Sequence, residues 1–375
     1  MTRIPTPTRR DPFGAARPPL VSAVVVNYNA WPDVEALVLS LAGSPEVQAG
    51  LVEVLVVDNA SEGPVPESLR EPRRGVRLIL RSQNGGFAVG VNTGWRESQG
   101  RWLLLLNPDV VVPDGWLGRV AGRVQEYEGN GSNGSSAPGV VGFALRNPDG
   151  SRQHSVGAFP SLGRAIWEQL IPRSRRKYQA GWRTASGPVD WVTGACVLVN
   201  ARVLEAVGGL DEEFFLYYEE VALCRSVRRL GWRVEYDPDP SLAVVHLRPL
   251  QNRALTPRMR VITRHSKLLY FRKHLPRWQF LGLCAVVAAE SRIQGAWARF
   301  RGLEEEGRAW RVVSALERDL RAGVSLGGVD VLTLANSVRG TGPSSIGPAC
   351  SPKRSATRSV DEPRAEARHG SRSAP

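Results

Sequence analysis

One stretch constrains this chain more than any other. Trp102 to Leu106 is five apolar residues without a polar break, followed at once by Asn107-Pro108-Asp109. A strand with one wet face alternates apolar and polar residues; an unbroken run belongs to a strand covered on both faces. Pro108 has no N–H for a ladder and ends the strand. Asp109 is thereby set at the C-terminal end of a central strand, where open α/β sheets bind their ligands. A carboxylate there is a candidate ligand for a metal that carries a phosphate. Asn, Pro and Asp are equally common in plain turns, so the stretch alone does not decide between the two.

The surrounding chain repeats the pattern. Val21-Ser-Ala-Val-Val-Val-Asn-Tyr-Asn29 reads as a buried strand with a polar end, and residues 32–41 have helical spacing. Val52-Glu-Val-Leu-Val-Val-Asp-Asn-Ala-Ser61 is a second strand, and residues 76–81 form a third, running into Ser82-Gln-Asn-Gly-Gly-Phe87. A helical segment then reaches about Gln99. This rhythm predicts an α/β fold with a Rossmann-like parallel sheet. Every strand ends in Asn, Asp or Gly, which gathers the polar chemistry on one edge. No GxGxxG follows the first strand, which argues against a dinucleotide dehydrogenase.

Beyond the opening strand, residues 114–127 read as a surface helix, 129–139 as a flexible Gly/Ser/Asn insertion, and 151–187 as an irregular, mobile loop. Residues 189–199 return to a strand. Residues 210–220 lead into a helix ending near Leu230, followed by a strand pair around 232–236 and 242–247. The Arg/Pro-rich residues 1–19 read as a disordered lead-in. Residues 20–250 form the expected catalytic domain, 251–323 a basic helical extension, and 324–375 a disordered tail.

The net charge of +13 is unevenly placed. Residues 1–250 carry 27 Lys and Arg against 26 Asp and Glu, whereas residues 251–375 carry 22 against 10. The basicity therefore sits in the C-terminal third and suggests a polyanionic partner there, such as an anionic membrane. The apolar run at 278–289 is too short to span a bilayer but suits a buried or interfacial helix. No recognisable nucleic-acid module accompanies the charge. No secretory signal precedes residue 20, and the four cysteines are widely spaced without a CxxC pair, so a cytoplasmic protein is expected, peripheral at the inner face of the plasma membrane.

Seven motifs occur in a telling order: Val25-Val-Asn-Tyr-Asn29, Val57-Asp-Asn-Ala-Ser61, Asn84-Gly-Gly-Phe87, Leu106-Asn-Pro-Asp109, Trp191-Val-Thr-Gly-Ala195, Gly208-Gly-Leu-Asp-Glu-Glu-Phe-Phe215 and Tyr218-Glu-Glu220. Together they resemble family 2 glycosyltransferases, in the bacterial rhamnosyltransferase-like branch, across roughly residues 20–275. The resemblance implies a GT-A fold and inverting transfer of a sugar, rhamnose by analogy, from a nucleotide-diphosphate donor. The implied acceptor is a hydroxyl of a glycan or polyprenyl-linked molecule in cell-surface polysaccharide synthesis.

The same resemblance implies roles. Asn27, Asn29 and Asp58 fall to the donor's base and ribose, with Asn84, Gly85, Gly86, Asn92 and Asn107 on the donor side. Trp191, Gly194 and Ala195 line the donor or acceptor cleft. Asp109, with His246, would ligate Mg2+ or Mn2+, the cation that offsets charge on a diphosphate leaving group. Glu220, with Glu219 beside it, stands at the general base. Two departures from the family pattern stand out. Where the family has Glu-Asp-x-Asp-Leu, this chain reads Glu219-Glu220-Val221-Ala222-Leu223, with a longer base and no second carboxylate. Glu62-Gly63 replaces a further Asp on the donor side. The competing expectation is a glycosyltransferase-like nucleotide-binding or scaffold protein with impaired catalysis.

Overall fold

A computed structural model describes residues 18–130, 137–170, 185–248 and 255–339. Nearly all of the expected N-terminal lead-in, most of the Gly/Ser/Asn insertion and the end of the tail fall outside these residues. The described chain begins β1 (Val21–Asn27), α1 (Trp31–Ala42), α2 (Pro45–Gln48), β2 (Val52–Asp58), α3 (Glu67–Arg70), β3 (Val76–Leu80), α4 (Phe87–Glu97) and β4 (Trp102–Leu106). It continues through β5 (Val110–Val111), α5 (Trp116–Asn130), β6 (Val140–Phe143), β7 (Leu145–Arg146), β8 (Arg152–Gln153), β9 (Val156–Gly157) and α6 (Leu162–Leu170). After β10 (Gly187–Pro188), β11 (Trp191–Val192) and β12 (Cys196–Asn200) come α7 (Ala201–Val207), α8 (Glu219–Arg229), β13 (Val234–Asp237) and β14 (Val244–His246). Four helices close it: α9 (Pro257–His274), α10 (Arg277–Phe300), α11 (Glu304–Arg321) and α12 (Gly328–Asn336).

The main sheet runs β10-β13-β6-β12-β4-β1-β2-β3. β3, β2, β1 and β4 are mutually parallel, and β12 enters antiparallel between β4 and β6. This is the mixed α/β fold with a parallel-rich centre that the sequence predicts. The apolar runs are explained by which core each side chain enters. Val24, Val26, Leu103 and Leu105 join one hydrophobic cluster, and Ala23, Val25, Leu104 and Leu106 join the other. Alternate residues of one strand thus feed two cores, so neither set can be polar. Trp31, Val34 and Leu37 of α1 cover one face; Ala88 and Val91 of α4 cover the other.

Four expectations need correction. Residues 189–199 are two strands in different sheets: β11 pairs with β9, and β12 lies in the main sheet. The chain breaks at Thr193–Ala195 because Thr193 N–H donates to Ser155 O and Ala195 O accepts from Asn107 N–H. The segments near 232–236 and 242–247 do not pair. β13 joins β6, whereas β14 joins a four-stranded sheet ordered β5-β14-β7-β8. Residues 151–187 are not irregular throughout, since they include β8, β9 and α6. Finally, α12 is a helix where a disordered tail is expected. Val331, Ala335 and Val338 follow helical spacing and are buried, a stripe that the Ser, Gly and Arg content of the wider segment conceals.

α9 is bound to the loop before α8. Ser266 Oγ donates to Leu216 O at 2.8 Å, and Lys273 Nζ meets Asp211 at 2.6 Å and Glu213 at 2.7 Å. The Tyr270 and Tyr218 rings lie 5.6 Å apart.

Candidate active site

The parallel register sets Asn27 of β1 directly beside Asp58 of β2, and Val25 beside Leu106 of β4. Three polar strand ends therefore share one edge of the sheet. Asn27 is fully buried; its amide donates to Asp58 Oδ1 at 2.8 Å and to Ser61 Oγ at 3.1 Å. Ser61 donates to the same carboxylate from both Oγ and its backbone N–H. Asn27 thus orients Asp58 rather than presenting itself to a ligand. The Asp58 carboxylate takes three donors of about four that it can accept. Asn29, in the left-handed region at φ 54, is exposed and clasps the two loops: its N–H donates to Ser61 Oγ and its Oδ1 accepts from Glu62 N–H.

The glycine loop is held by Asn59, a residue that the sequence argument passes over although it lies within the Val-Asp-Asn-Ala-Ser motif. Asn59 Nδ2 donates to Asn84 Oδ1 and Gly86 O, both at 2.9 Å, and its Oδ1 accepts from Gly85 N–H and Arg81 Nε. Gly86, at φ 95 and ψ 174, caps α4. A Cβ there would stand 2.3 Å from Phe215 O. The backbone crosses so closely that Phe87 N–H donates to Phe215 O at 2.8 Å. The glycine loop and the loop that leads to α8 are therefore one contact.

At the start of α8, Tyr217 and Tyr218 both adopt φ 70, which non-glycine residues rarely do. Glu219 and Glu220 follow as the first turn, where the helix dipole favours carboxylates. Both are buried, and Glu220 Oε2 has no hydrogen-bond partner among the described residues. A Cβ added at Gly194 would lie 3.8 Å from Glu220 Cβ and 3.7 Å from the Phe87 ring. Gly194 thus brings the 193–195 loop against both the base candidate and the glycine loop. Burial, and then the Glu168 carboxylate, raise the Tyr218 hydroxyl well above its ordinary pKa. It stays a neutral neighbour of Glu220.

Asp109 and His246 are brought together by two short strands, with His246 opposite Val110 in the β5–β14 ladder. His246 Nε2 lies 3.3 Å from Asp109 Oδ1, and Nδ1 lies 3.0 Å from Gln153 Oε1. Taken as donor to Gln153, Nδ1 leaves Nε2 as the lone-pair nitrogen facing the carboxylate, as in a metal-binding histidine whose other nitrogen is held by a polar group. Among the described residues no third His, Cys, Asp or Glu joins them. The pair fits a cation that completes its shell with phosphate and water oxygens, as Mg2+ and Mn2+ do. Arg248, absent from the sequence candidates, is two residues beyond His246. Its guanidinium pairs with Asp33 and has Nε 3.7 Å from Asp109 Oδ2. Asn107 lies between these groups and the 193–195 loop through its N–H bond to Ala195 O.

Two sequence candidates lie elsewhere. Asn92 is buried and committed: it donates to Leu210 O and Glu212 Oε1, and accepts from Leu210 N–H, each at 2.8 Å. It pins the turn after α7, not a nucleotide. Trp191 is buried in the core, its Nε1–H donates to Ala158 O, and its indole fills the space beside Gly157. It packs beneath the cleft loop instead of lining it.

Comparison with known proteins adds the decisive observation: residues 22–208 match the glycosyl transferase family 2 model. Residues 22–208 belong to that family. The family 2 domain therefore covers the strand-end edge, the glycine loop and Asp109, and stops before Glu219, Glu220 and His246. The chain is 27% identical over 248 residues to the N-acetylglucosaminyl-diphospho-decaprenol L-rhamnosyltransferase of Mycobacterium tuberculosis, covering 60% of this chain and 76% of that protein. It is 30% identical over 225 residues to the O-antigen biosynthesis protein RfbC of Myxococcus xanthus, covering 56% of this chain and 16% of that one. A mannosyltransferase structure from Pyrobaculum calidifontis, in complex with GDP-Man and Mn2+, is similar at a TM-score of 0.44 and 16% identity, over 87% of this chain and 90% of that one. Residues 22–208 are thus a family 2 glycosyltransferase domain, and the chain resembles rhamnosyltransferases.

Proposed function

We propose that this glycosyltransferase transfers its sugar with inversion, with Glu220 as general base and a divalent cation held by Asp109 and His246. The observation that carries the base is the buried, unpartnered Glu220 Oε2 against Gly194. In a single displacement the acceptor hydroxyl oxygen bonds to the anomeric carbon while that carbon's bond to the diphosphate oxygen breaks. The hydroxyl proton passes to the Glu220 carboxylate, and the nucleoside diphosphate leaves with the bonding pair. The cation, when bound, supplies charge that stabilises the diphosphate leaving group. Asp58, oriented by Asn27 and Ser61, is positioned to accept from the donor's base. Gly85 and Gly86 allow close backbone approach to the nucleotide. Arg248 adds positive charge at the Asp109 end.

By analogy with the relatives, the donor is a nucleotide-diphosphate rhamnose and the acceptor a polyprenyl-linked glycan, met at the inner face of the plasma membrane. A screen of nucleotide sugars with Mn2+, Mg2+ or chelator, followed by assignment of the product's anomeric configuration, tests this. A product that retains the donor's configuration, or turnover unaffected by chelator and by Asp109→Ala, would overturn the mechanism. The alternative of impaired catalysis draws on Ala222, which is buried where the family pattern has a second carboxylate. It predicts nucleotide binding by calorimetry without turnover of any donor.

A further inference from the structure

α10 is 24 residues long, about 36 Å of helix. Its inner face buries Phe280, Leu283, Cys284 and Val287. Its outer face is also apolar. Trp278, Leu281, Ile293, Trp297 and Phe300 are exposed by 41–81%. With Ala285 and Ala289 between them, they recur every three or four residues as a continuous stripe. The Trp297 and Phe300 rings lie 5.9 Å apart, and the Arg301 guanidinium sits 5.5 Å over Trp297. A soluble surface does not ordinarily expose such a run.

Charge identifies the partner. Arg277, Arg292 and Arg299 face outward on α10, while its one acidic residue, Glu290, is held by Arg264 of α9. Beside the stripe, a groove of about 300 Å³ lies between α10 and α11. Leu281, Ala285 and Ala288 line it together with Arg292, Arg318 and Arg321. The acid in that groove, Glu317, is neutralised by Arg321 at 3.2 Å. An apolar stripe with tryptophans, bordered by arginines and by a cationic groove of headgroup size, is complementary to an anionic lipid surface. No helix among the described residues is long and apolar enough to cross a membrane, so the contact is parallel to the bilayer plane.

We infer that the outer face of α10 and the arginine groove beside it form an interfacial docking surface for an anionic bilayer. The inference rests on the proposed lipid-linked acceptor for its purpose alone; the surface itself follows from the helix. α6 packs on α10, with Leu162 against Gly282, and carries exposed Ile166 and Trp167. Its Glu168 pairs with Lys267 of α9 at 2.8 Å and is one of the charges felt by Tyr218 beside Glu220. The docking face and the base are thus joined through α6 and α9.

The experiment is sedimentation of the full chain with vesicles of phosphatidylcholine alone or mixed with phosphatidylglycerol, at low and high salt. Circular dichroism and size-exclusion chromatography accompany each variant. The expected result is binding to the anionic vesicles that weakens with salt. Trp297→Glu with Phe300→Glu abolishes it, and each of Arg292→Gln and Arg318→Gln lowers affinity roughly fivefold. All variants keep the wild-type circular dichroism and any donor turnover in solution. Absence of binding at low salt overturns the inference, as does binding that is indifferent to lipid charge or to the variants. A wild-type dimer dispersed by Trp297→Glu, without vesicle binding, would assign the face to a second copy instead. Donor turnover is read separately, so failure of the catalytic proposal leaves the vesicle result standing.

Discussion

Gly86→Ala tests whether the crossing of the glycine loop and the base loop holds the active site. The added Cβ would stand 2.3 Å from Phe215 O, 2.8 Å from its Cα and 2.9 Å from its carbonyl carbon. All three are backbone atoms, so no rotamer change relieves the clash. At φ 95 and ψ 174 the position is also one that side chains avoid, a strain of about 1–3 kcal/mol. Losing the Phe87 N–H bond to Phe215 O adds about 1 kcal/mol. The total, about 2–4 kcal/mol, lowers the melting temperature by roughly 3–6 °C for a unit of this size. Relief to ordinary contact at 3.4 Å requires a shift of about 1 Å, and Glu220 is five residues from Phe215. A displacement of that size at the base costs on the order of a hundredfold in kcat. Thermal unfolding and donor turnover read the two effects. Gly122→Ala is the control. It lies in α5, where among the described residues the added carbon meets nothing within 4 Å beyond its chain neighbours and its own helix backbone, and it should be neutral or stabilising by up to about 1 kcal/mol. If Gly86→Ala matches Gly122→Ala in both assays, the crossing does not position the base.

Glu220→Gln keeps the side chain's shape but removes the proton acceptor. It should lower kcat by about 10²–10⁴-fold with little change in donor KM; an unchanged kcat in steady-state kinetics would move the base elsewhere. Asn92→Ala strands Leu210 N–H and O in a buried turn and should cost about 2–4 kcal/mol in urea unfolding. Normal stability with lost nucleotide binding would return Asn92 to the donor site. His265 is fully buried, and burial first, then the charge of Arg272, hold its pKa down at about 4. Below its unfolded pKa of about 6.5 the unfolded chain gains a proton that the native state refuses, so stability falls as pH drops from 6.5 towards 4. His265→Leu should flatten that acid limb in chemical unfolding at pH 4.5 and 7; an unaltered slope would mean that other groups set it.

The strands of the first half were legible because each apolar run must feed two cores, and their polar ends marked the edge. Asn27 beside Asp58 follows once those strands are parallel. The pairing of Asp109 with His246 was not visible in periodicity, since it depends on β5 and β14, strands of two and three residues. The break at Thr193–Ala195 was hidden because an apolar run reads alike in one strand or two. The partners of Asn92 and Trp191 are tertiary, supplied by Leu210, Glu212 and Ala158, and no local pattern announces them. The outer stripe of α10 was only half legible: the run at 278–289 was apparent, but Ile293, Trp297 and Phe300 extend it beyond the point where composition turns polar.

The contact between α12 and the glycine loop bears on the order in which the protein is made. A Cβ at Gly328 would lie 3.0 Å from Gly85 O and 3.5 Å from Phe215 Cα, so the last described helix backs the crossing at Gly86. Some 240 residues separate these partners in the chain, which at about 5–20 residues per second is roughly 10–50 s of synthesis. During that interval a nascent chain has its strand edge and glycine loop translated but not the helix that backs them. The glycine loop is therefore backed late, and a ribosome stalled before residue 328 would carry that loop without the helix behind it.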